Sequence, residues 1–533
     1  MMMRRKNEGR SEAPNYDIEN QHNPLETSMS QELANLSPLP QLRCIYRVPE
    51  RLRRGNENAY TPQVISIGPL HHGKEHLKAM EEFKKRYLAD FLRRTQYMMM
   101  RRKNEGRSEA PNYDIENQHN PLETSMSQEL ANLSPLPQLR CIYRVPERLR
   151  RGNENAYTPQ VISIGPLHHG KEHLKAMEEF KKRYLADFLR RTQVSLNDYI
   201  NKIKDQEARL RSYYADSIEF DSDQLIRIVL VDAAFIIEFL LRKCFLEFRD
   251  ENDYMFDKPW MKHDVSPDLQ MLENQLPFFI LEDLFDPDKL FPPASRKFSL
   301  IFVSFYSFKA AIYREGTKDD LDRIFVPGVE VKHFVDFMRI LCQPMEPKPG
   351  GKLKSPTTPN MAELHQAGVK FNVGTSKSLF DIKFSSGVLE IPKLIVSDST
   401  ELVFRNLLAF EQCHCKNMNY LTNYVFLMKR LATSSKDVEL LVEHGIVQNW
   451  IGENSGVSTL LNNLGSGLLV SNHYYATLCD ELNIYCRTRR HKWMANLRQN
   501  YFNTPWSTVS VIAASVLLIL TLIQTVCSVR SII

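Results

Sequence analysis

The 533-residue chain holds 69 Lys and Arg against 64 Asp and Glu, a net charge of +5. Residues 1–96 recur letter for letter as residues 98–193, and each copy carries 16 basic and 12 acidic residues. A chain with one copy would stand near +1, too close to neutral for the clustered basic surface that nucleic-acid binding requires. Nucleic acid is therefore not a predicted partner. The nine cysteines are scattered without a CxxC pair, which predicts reduced thiols.

The two copies are separated only by Tyr97. Repeats that stack into solenoids usually recur every 20–50 residues or so, occur at least about three times, and drift in sequence. This pair does none of these things, and the methionines at 98–100 resemble a translation start copied into the interior. We interpret 1–97 as a surplus duplicate or a gene model that joins one exon twice. A functional tandem repeat is the alternative.

Residues 98–140 form a polar tail, and 1–40 repeat most of it. Asn, Glu, Ser, Pro and Gln dominate there, with few large apolar side chains. Such a segment cannot bury enough surface to offset its ordering entropy, so it is predicted to be disordered. No apolar run follows the basic residues of the N-terminus, which predicts that it is not a secretory signal peptide.

The segment 141–342 is predicted to be a helical half-domain. It opens with an extended stretch at 161–164 that a Gly165-Pro166 turn closes. The segment 222–248 is apolar almost all round, but Arg227, Asp232 and Glu238 lie inside it, which favours a buried core helix over a membrane span. Apolar periodicity predicts helices at 171–191, 196–212, 222–248, 268–274, 278–284, 296–313 and 331–342.

A loop at 343–360, with five prolines and two glycines, separates this half from a second one at 361–500. After a short helix at 361–366, two-residue alternation predicts strands at 369–373, 379–384 and 388–391, the last two joined as an antiparallel hairpin. Helices are predicted to follow at 400–411, 420–432, 435–444 and 456–481. Gly465-Ser466-Gly467 is interpreted as a turn and not as a cofactor loop.

The segment 506–529 contains 24 residues without a charge, enough to cross a bilayer core. A buried terminal helix would show a polar face, and this segment offers only Ser, Thr and one Gln. We therefore predict a transmembrane helix, with the lipid bilayer as its partner. Basic residues lie mainly on its N-terminal side, which predicts a tail-anchored protein with its bulk in the cytosol. These residues are Arg487, Arg489, Arg490, Lys492 and Arg498, against Arg530 on the other side.

Several motifs in this order resemble a plant family known as domain of unknown function 247. They are VISIGPLHHG at 161–170, FIIE at 235–238, LENQLPFF at 272–279, GVLEIP at 387–392 and FRNL at 404–407. The resemblance covers the chain from about Tyr143 to the C-terminal helix. One departure is that Asp232-Ala233-Ala234 stands where similar proteins often carry Asp-Gly-Cys, so a role for a thiol there fails for this chain.

The resemblance implies a mostly helical plant protein with one C-terminal membrane span and no established reaction. Some relatives are linked to recognition in reproduction, including self-incompatibility, which suggests interaction rather than chemistry. The predicted fold is accordingly mainly α, a multi-helix globular domain with a small antiparallel β element and one C-terminal transmembrane helix. The predicted function is a membrane-anchored module that binds an unidentified protein. Its oligomeric state stays open.

The search for chemistry gives three weak candidates. His168, His169 and His173 are the candidate metal ligands, since His169 and His173 are one turn apart at a helix start, but no local Cys or Asp completes a metal site. Cys413-His414-Cys415 has no second ligand pair and is interpreted as a helix end. Glu238 and Glu273 would pair for acid–base work if their helices packed together.

An enzyme with a site near His168, His169, Glu238 and Glu273 is therefore the alternative function. Catalytic, cofactor and metal residues are not assigned.

Overall fold

The computed structural model describes residues 139–488 and 505–532, together with Leu25, Ser28 and Gln31. The first range has gaps at 252, 254, 294, 310–329, 345–349, 355–356, 377, 416–418 and 471. The chain divides into two compact units, Met1–Pro40 with Arg140–Ile533 and, separately, Gln41–Leu139. All described residues except Leu139 belong to the first unit. Most of the duplicate at 1–97, most of the tail at 98–140 and part of the 343–360 loop lie outside the described residues.

Three residues of the first copy are described, and all three are helical. Leu25 is 5% exposed and belongs to the hydrophobic core. Ser28 accepts a hydrogen bond of 2.9 Å from Nη2 of Arg227.

The first half is built around one long helix, α5 (Ser222–Cys244), as predicted from its apolar sequence. A capping box between Asp221 and Gln224 begins the helix, and its side chains from Val229 to Leu241 are buried. A 3₁₀ turn, Leu246–Phe248, follows it. The other helices are α1 (Glu147–Arg150), α2 (Glu178–Thr192), α3 (Leu196–Asp205), α4 (Glu207–Tyr213), α6 (Pro259–Asp268), α7 (Phe278–Leu284), α8 (Pro287–Leu290), α9 (Leu300–Phe308) and α10 (Phe334–Cys342).

Two predicted helices of this half are wrong in extent. The segment 196–212 is two helices, α3 and α4, which meet at Gln206. The segment 268–274 is not a helix, because α6 ends at Asp268 and irregular turns follow. The amides of Asn274 and Gln275 donate back to the carbonyls of Asp268, Leu269 and Met271, which stabilises the turns in place of a helical ladder.

The second half combines helices with two small sheets. Strands β1 (Lys370–Gly374), β2 (Lys383–Ser385) and β3 (Val388–Pro392) form a sheet of order β1-β3-β2. The predicted antiparallel hairpin is confirmed as β2–β3, whereas β1 pairs with β3 in parallel. A second parallel pair, β4 (Leu394–Val396) with β5 (Val447–Asn449), was not predicted. The helices are α11 (Met361–Gln366), α12 (Thr400–His414), α13 (Tyr420–Leu431), α14 (Ser435–Glu443), α15 (Asn454–Leu464) and α16 (Ala476–Arg487).

The predicted helix at 456–481 is wrong, since α15 and α16 are separate. The turn predicted at 465–467 is confirmed and ends α15. Gly467 has φ +75°, and a Cβ there would lie 2.8 Å from the carbonyl oxygen of Arg148. Glycine is therefore required where this turn meets the first half.

The last described element is α17 (Pro505–Ile532). Its segment Thr508–Cys527 has a mean hydropathy of 2.4, and none of that segment is buried. Among the described residues, this is the one helix long and apolar enough to cross a membrane. The chain is thus mainly α with small sheets and a C-terminal apolar helix, as predicted.

Candidate functional site: the clamp around the 160–168 arm

Residues 160–168, here called the arm, run through the core without joining a strand. Buried backbone N–H groups need acceptors, and in the arm a side chain supplies them. The Asp268 carboxylate, 1% exposed, accepts from the N–H groups of Gln160, Val161 and Ile162 at 3.0, 2.7 and 2.8 Å. Burial raises the pKa of Asp268 to about 7 despite these donors. Asp268 thus supplies the acceptors that a neighbouring strand would otherwise supply.

Asn274 holds the next part of the arm. Its Oδ1 accepts from the N–H of Ile164 at 2.7 Å, and its Nδ2 donates to the carbonyls of Ile162 and Asp268, each at 3.0 Å. The side chain is fully buried. A single amide therefore matches both a donor and an acceptor of the arm and ties them to the turn after α6.

Lys181 of α2 and Asp232 of α5 form an ion pair of 2.5 Å in which neither side chain is exposed. The Lys181 ammonium also donates to the carbonyl of Ser163 at 2.8 Å, and the N–H of Gly165 donates to Asp232 at 2.8 Å. Burial lowers the pKa of Lys181, but the carboxylates of Asp232 and Glu178 outweigh it and raise the pKa overall. The pair therefore joins the two helices to the middle of the arm.

Glu273 closes the network at the end of the arm. It accepts from the N–H of Val145 at 2.6 Å, pairs with the guanidinium of Arg150, and contacts Nε2 of His168 at 3.0 Å. Burial would raise the pKa of Glu273, but His168, Arg150 and the Val145 N–H together hold it below its usual value. Burial lowers the pKa of His168, which favours its neutral form. We call Asp232, Asp268, Glu273, Asn274 and Lys181 the clamp.

The other predicted site residues do not converge on the clamp. Glu238 contacts Arg191 at 2.8 Å and Arg242 at 3.2 Å, so it belongs to a separate group of ion pairs. The ring of His169 lies against that of Phe220, with 5.7 Å between centroids. The structure brings together only His168 and Glu273 of the four residues proposed for an enzyme, and it does not pair Glu238 with Glu273.

The proposed metal ligands are also engaged elsewhere. His173 contacts the carbonyl of Pro159 at 3.2 Å, and Nδ1 of His414 contacts the hydroxyl of Tyr143 at 3.0 Å. Burial raises the pKa of Cys413 to about 12 and that of Cys415 to about 11, which disfavours the thiolates that bind metals. In the parts of the chain that the structure describes, no group of three His, Cys, Asp or Glu is placed to hold a metal ion.

Sequence reasoning missed Lys181 and Asp268. A lysine on the apolar face of α2, between Met177 and Leu185, was a usable signal, because a cation that faces the core needs a counter-charge. Asp268 gave no comparable signal, since its acceptor role depends on a segment 106–108 residues away in the chain.

The buried donors and acceptors of the clamp bond to one another and to the arm, so the cluster has the character of a structural joint. A similar joint links the two halves. Asn406 of α12 accepts from the N–H of Leu272 at 2.9 Å and donates to the carbonyl of Ala156 at 2.7 Å. The motifs thus have a structural basis: their residues complete one another's hydrogen bonds. These residues lie in the arm, in α5, in the 269–276 turns and in α12.

Comparisons with known proteins agree with the family resemblance of the sequence motifs. A family described as plant protein of unknown function, DUF247, matches residues 45–118 and 142–520. The chain belongs to this family. Two curated relatives from Arabidopsis thaliana are similar to the chain. The UPF0481 protein At3g47200 is 28% identical over 73% of this chain and 86% of its own length.

The UPF0481 protein At3g02645 is 22% identical over 72% of this chain and 89% of its own length. No solved structure matches the chain. The resemblance predicted from the motifs is thereby confirmed, and it brings no reaction with it.

Proposed function

We propose that this DUF247 chain is a single-pass membrane protein whose helical domain faces the cytosol and binds another protein. The observation that carries the proposal is the exposure of α17. Trp506 is 82% exposed, Leu517 64% and Leu518 66%, which is a continuous apolar surface that water solvates poorly. The hydrocarbon core of a bilayer would bury this apolar surface, and its thickness matches the length of the helix.

The direction of insertion follows from charge. Arg487 of α16 and the basic residues at 489–498 precede α17, and Arg530 alone follows the apolar segment. Basic residues are retained on the cytosolic side of a span, so the domain is expected in the cytosol. The buried polar groups of the clamp hold the fold together. A role in binding another protein is consistent with this, because binding does not require these groups to react.

Membranes isolated from plant cells that express the tagged full chain test the anchor. We expect the chain to stay in the pellet after alkaline carbonate extraction, and the domain to be digested by protease added to sealed vesicles. A variant that lacks residues 505–533 is expected in the supernatant. Release of the full chain by carbonate would refute the anchor, and protection from protease would refute the orientation.

Proximity labelling tests the binding role. The full chain carries the labelling enzyme, and the control is the same enzyme joined to residues 489–533 alone, which shares the linker and α17. We expect proteins that the full chain labels and the control does not. Identical sets would contradict a binding domain.

The alternative of an enzyme near His168 and Glu273 gains no support from the described residues. His168 is 2% exposed and Glu273 1% exposed, and they bond to each other rather than face solvent. Substrate access to either group would require the arm to leave its place.

A further inference from the structure

Helix α9 is unusual for a helix at the surface. Its sequence, LIFVSFYSF, contains no charged residue. One face is buried, and the other carries the half-buried Ile301 and Phe302 with the exposed Tyr306, where a surface helix normally places polar side chains. Tyr306 is 44% exposed.

The apolar face continues beyond the helix. The ring of Phe302 lies 4.6 Å from that of Tyr306 and 4.5 Å from that of Phe298, and Phe298 lies 5.0 Å from Phe245. Leu246, next to Phe245 in the chain, is 72% exposed. We call the connected set the aromatic patch: Phe245, Leu246, Phe298, Ile301, Phe302 and Tyr306.

Two cations border the aromatic patch. The guanidinium of Arg296 lies 5.2 Å from the ring centre of Phe298, and the ammonium of Lys309 lies 4.5 Å from that of Tyr306. Among the described residues, neither has a carboxylate within 4.0 Å. Glu247 is exposed in the same turn as Leu246, so a carboxylate also lies beside the aromatic patch.

We propose that the aromatic patch, with Arg296 and Lys309, docks on the surface of an anionic lipid bilayer. Aromatic rings with basic side chains at their edge match the region between acyl chains and phosphates. Each cation near an anionic leaflet adds to the attraction. This inference rests on the proposed membrane anchor, because α17 keeps the bilayer close.

The linker makes the contact geometrically possible. Seventeen residues, 488–504, separate α16 from α17, and a chain of that length reaches at most about 60 Å when fully extended. The domain is therefore confined near the bilayer, where even a weak surface contact is populated because of its high effective concentration.

Photo-crosslinking of the full chain in nanodiscs tests the proposal. One set of discs contains phosphatidylcholine with a photoactivatable phosphatidylcholine, and the other contains equal parts phosphatidylcholine and phosphatidylserine with a photoactivatable phosphatidylserine. Mass spectrometry then locates the lipid adducts. We expect adducts in α17 in both sets, and adducts in peptides with the aromatic patch mainly in the anionic set.

Variants give the control. In Arg296→Glu/Lys309→Glu we expect adducts at the patch to fall by at least about tenfold while those in α17 persist. Leu469→Ser, which alters a residue that is 67% exposed outside the patch, is expected to change neither. Absence of adducts in α17 would overturn the anchor. Adducts in α17 without any at the patch, or adducts that charge reversal leaves unchanged, would overturn this inference alone.

Discussion

The ion pair between Lys181 and Asp232 gives the sharpest test of the clamp. Both side chains are fully buried, and both hold the arm, Lys181 through the Ser163 carbonyl and Asp232 through the Gly165 N–H. Removing one partner of such a pair leaves an uncompensated charge in the core, which typically costs about 3–5 kcal/mol. We therefore expect Lys181→Met and Asp232→Asn each to lower the free energy of unfolding by about 3 kcal/mol or more.

The two variants are not expected to cost the same. In Asp232→Asn the ammonium of Lys181 keeps the carboxylate of Glu178 at 2.7 Å, which compensates part of the loss. In Lys181→Met the Asp232 carboxyl loses its cation. Burial and Glu178 raise its pKa to about 7 even beside Lys181, so in the variant it must take up a proton that the unfolded chain does not hold at pH 7. Lys181→Met should therefore be the more damaging substitution.

The double variant measures the coupling. With both charges removed, no buried ion is left unpaired, so its cost should fall at least about 2 kcal/mol short of the sum of the single costs. Urea unfolding of the detergent-solubilised full chain, followed together by far-UV circular dichroism and tryptophan fluorescence, gives these free energies where the two transitions coincide.

An exposed pair serves as the matched control. Lys175 and Glu172 lie on the surface with 57% and 70% of their side chains exposed, and Lys175→Met should cost less than about 1 kcal/mol. Single costs at Lys181 and Asp232 as small as this, or costs that simply add in the double variant, would refute the reasoning about the clamp.

Three further predictions use the same unfolding measurement. Gly165→Ala should cost more than about 3 kcal/mol, because its Cβ would lie 2.7 Å from the Gln275 carbonyl oxygen, whereas Gly170→Ala, also at positive φ but with open space, should cost about 1 kcal/mol. Glu273→Ala should cost about 3–5 kcal/mol and Glu273→Gln less, because the amide oxygen still accepts a hydrogen bond. Burial lowers the pKa of Lys243 from 10.5 to about 8. The charge of Lys243 therefore destabilises the folded state fully below pH 8, and this penalty declines between pH 8 and pH 10.5. Lys243→Met should then stabilise the chain by up to about 3 kcal/mol at pH 7, and the gain should vanish as the pH approaches 10.5. A gain that stays constant with pH would contradict the last prediction.

Local pattern was enough to predict the long elements. Helix α5 is apolar almost all round, and its burial follows from that composition alone. The turn at 465–467 follows from its glycines. The partners of irregular backbone were not predictable in this way, because Lys181 meets Asp232 across 51 residues and Asp268 meets Ile162 across 106. The spacing of apolar residues within one segment cannot predict such pairings.

Two kinds of hydrogen bond explain the differences between the predicted and the observed elements. Turns replace the predicted helix at 268–274 because the amides of Asn274 and Gln275 compete for the carbonyls that a helix would use. β1 joins β3 in parallel through an N–H to carbonyl bond from Lys370 to Gly387, which alternation within one strand cannot reveal. The turns thus depend on side-chain hydrogen bonds within their own segment, which apolar spacing does not reveal, whereas the strand pairing depends on a residue distant in the chain.

The clamp also bears on the duplicated block. The arm at 160–168 has an identical counterpart at 63–71, and either sequence offers the same backbone donors to Asp268, Asn274 and Asp232. The described residues contain one such set of acceptors, and the second copy occupies it. The second copy is continuous with α2, which supplies Lys181, whereas the first copy would close a loop about a hundred residues longer. Loop-closure entropy grows slowly with length, so this difference is at most a few kcal/mol, but it favours the second copy. The clamp thus gives a physical reason why one copy of the arm completes the fold.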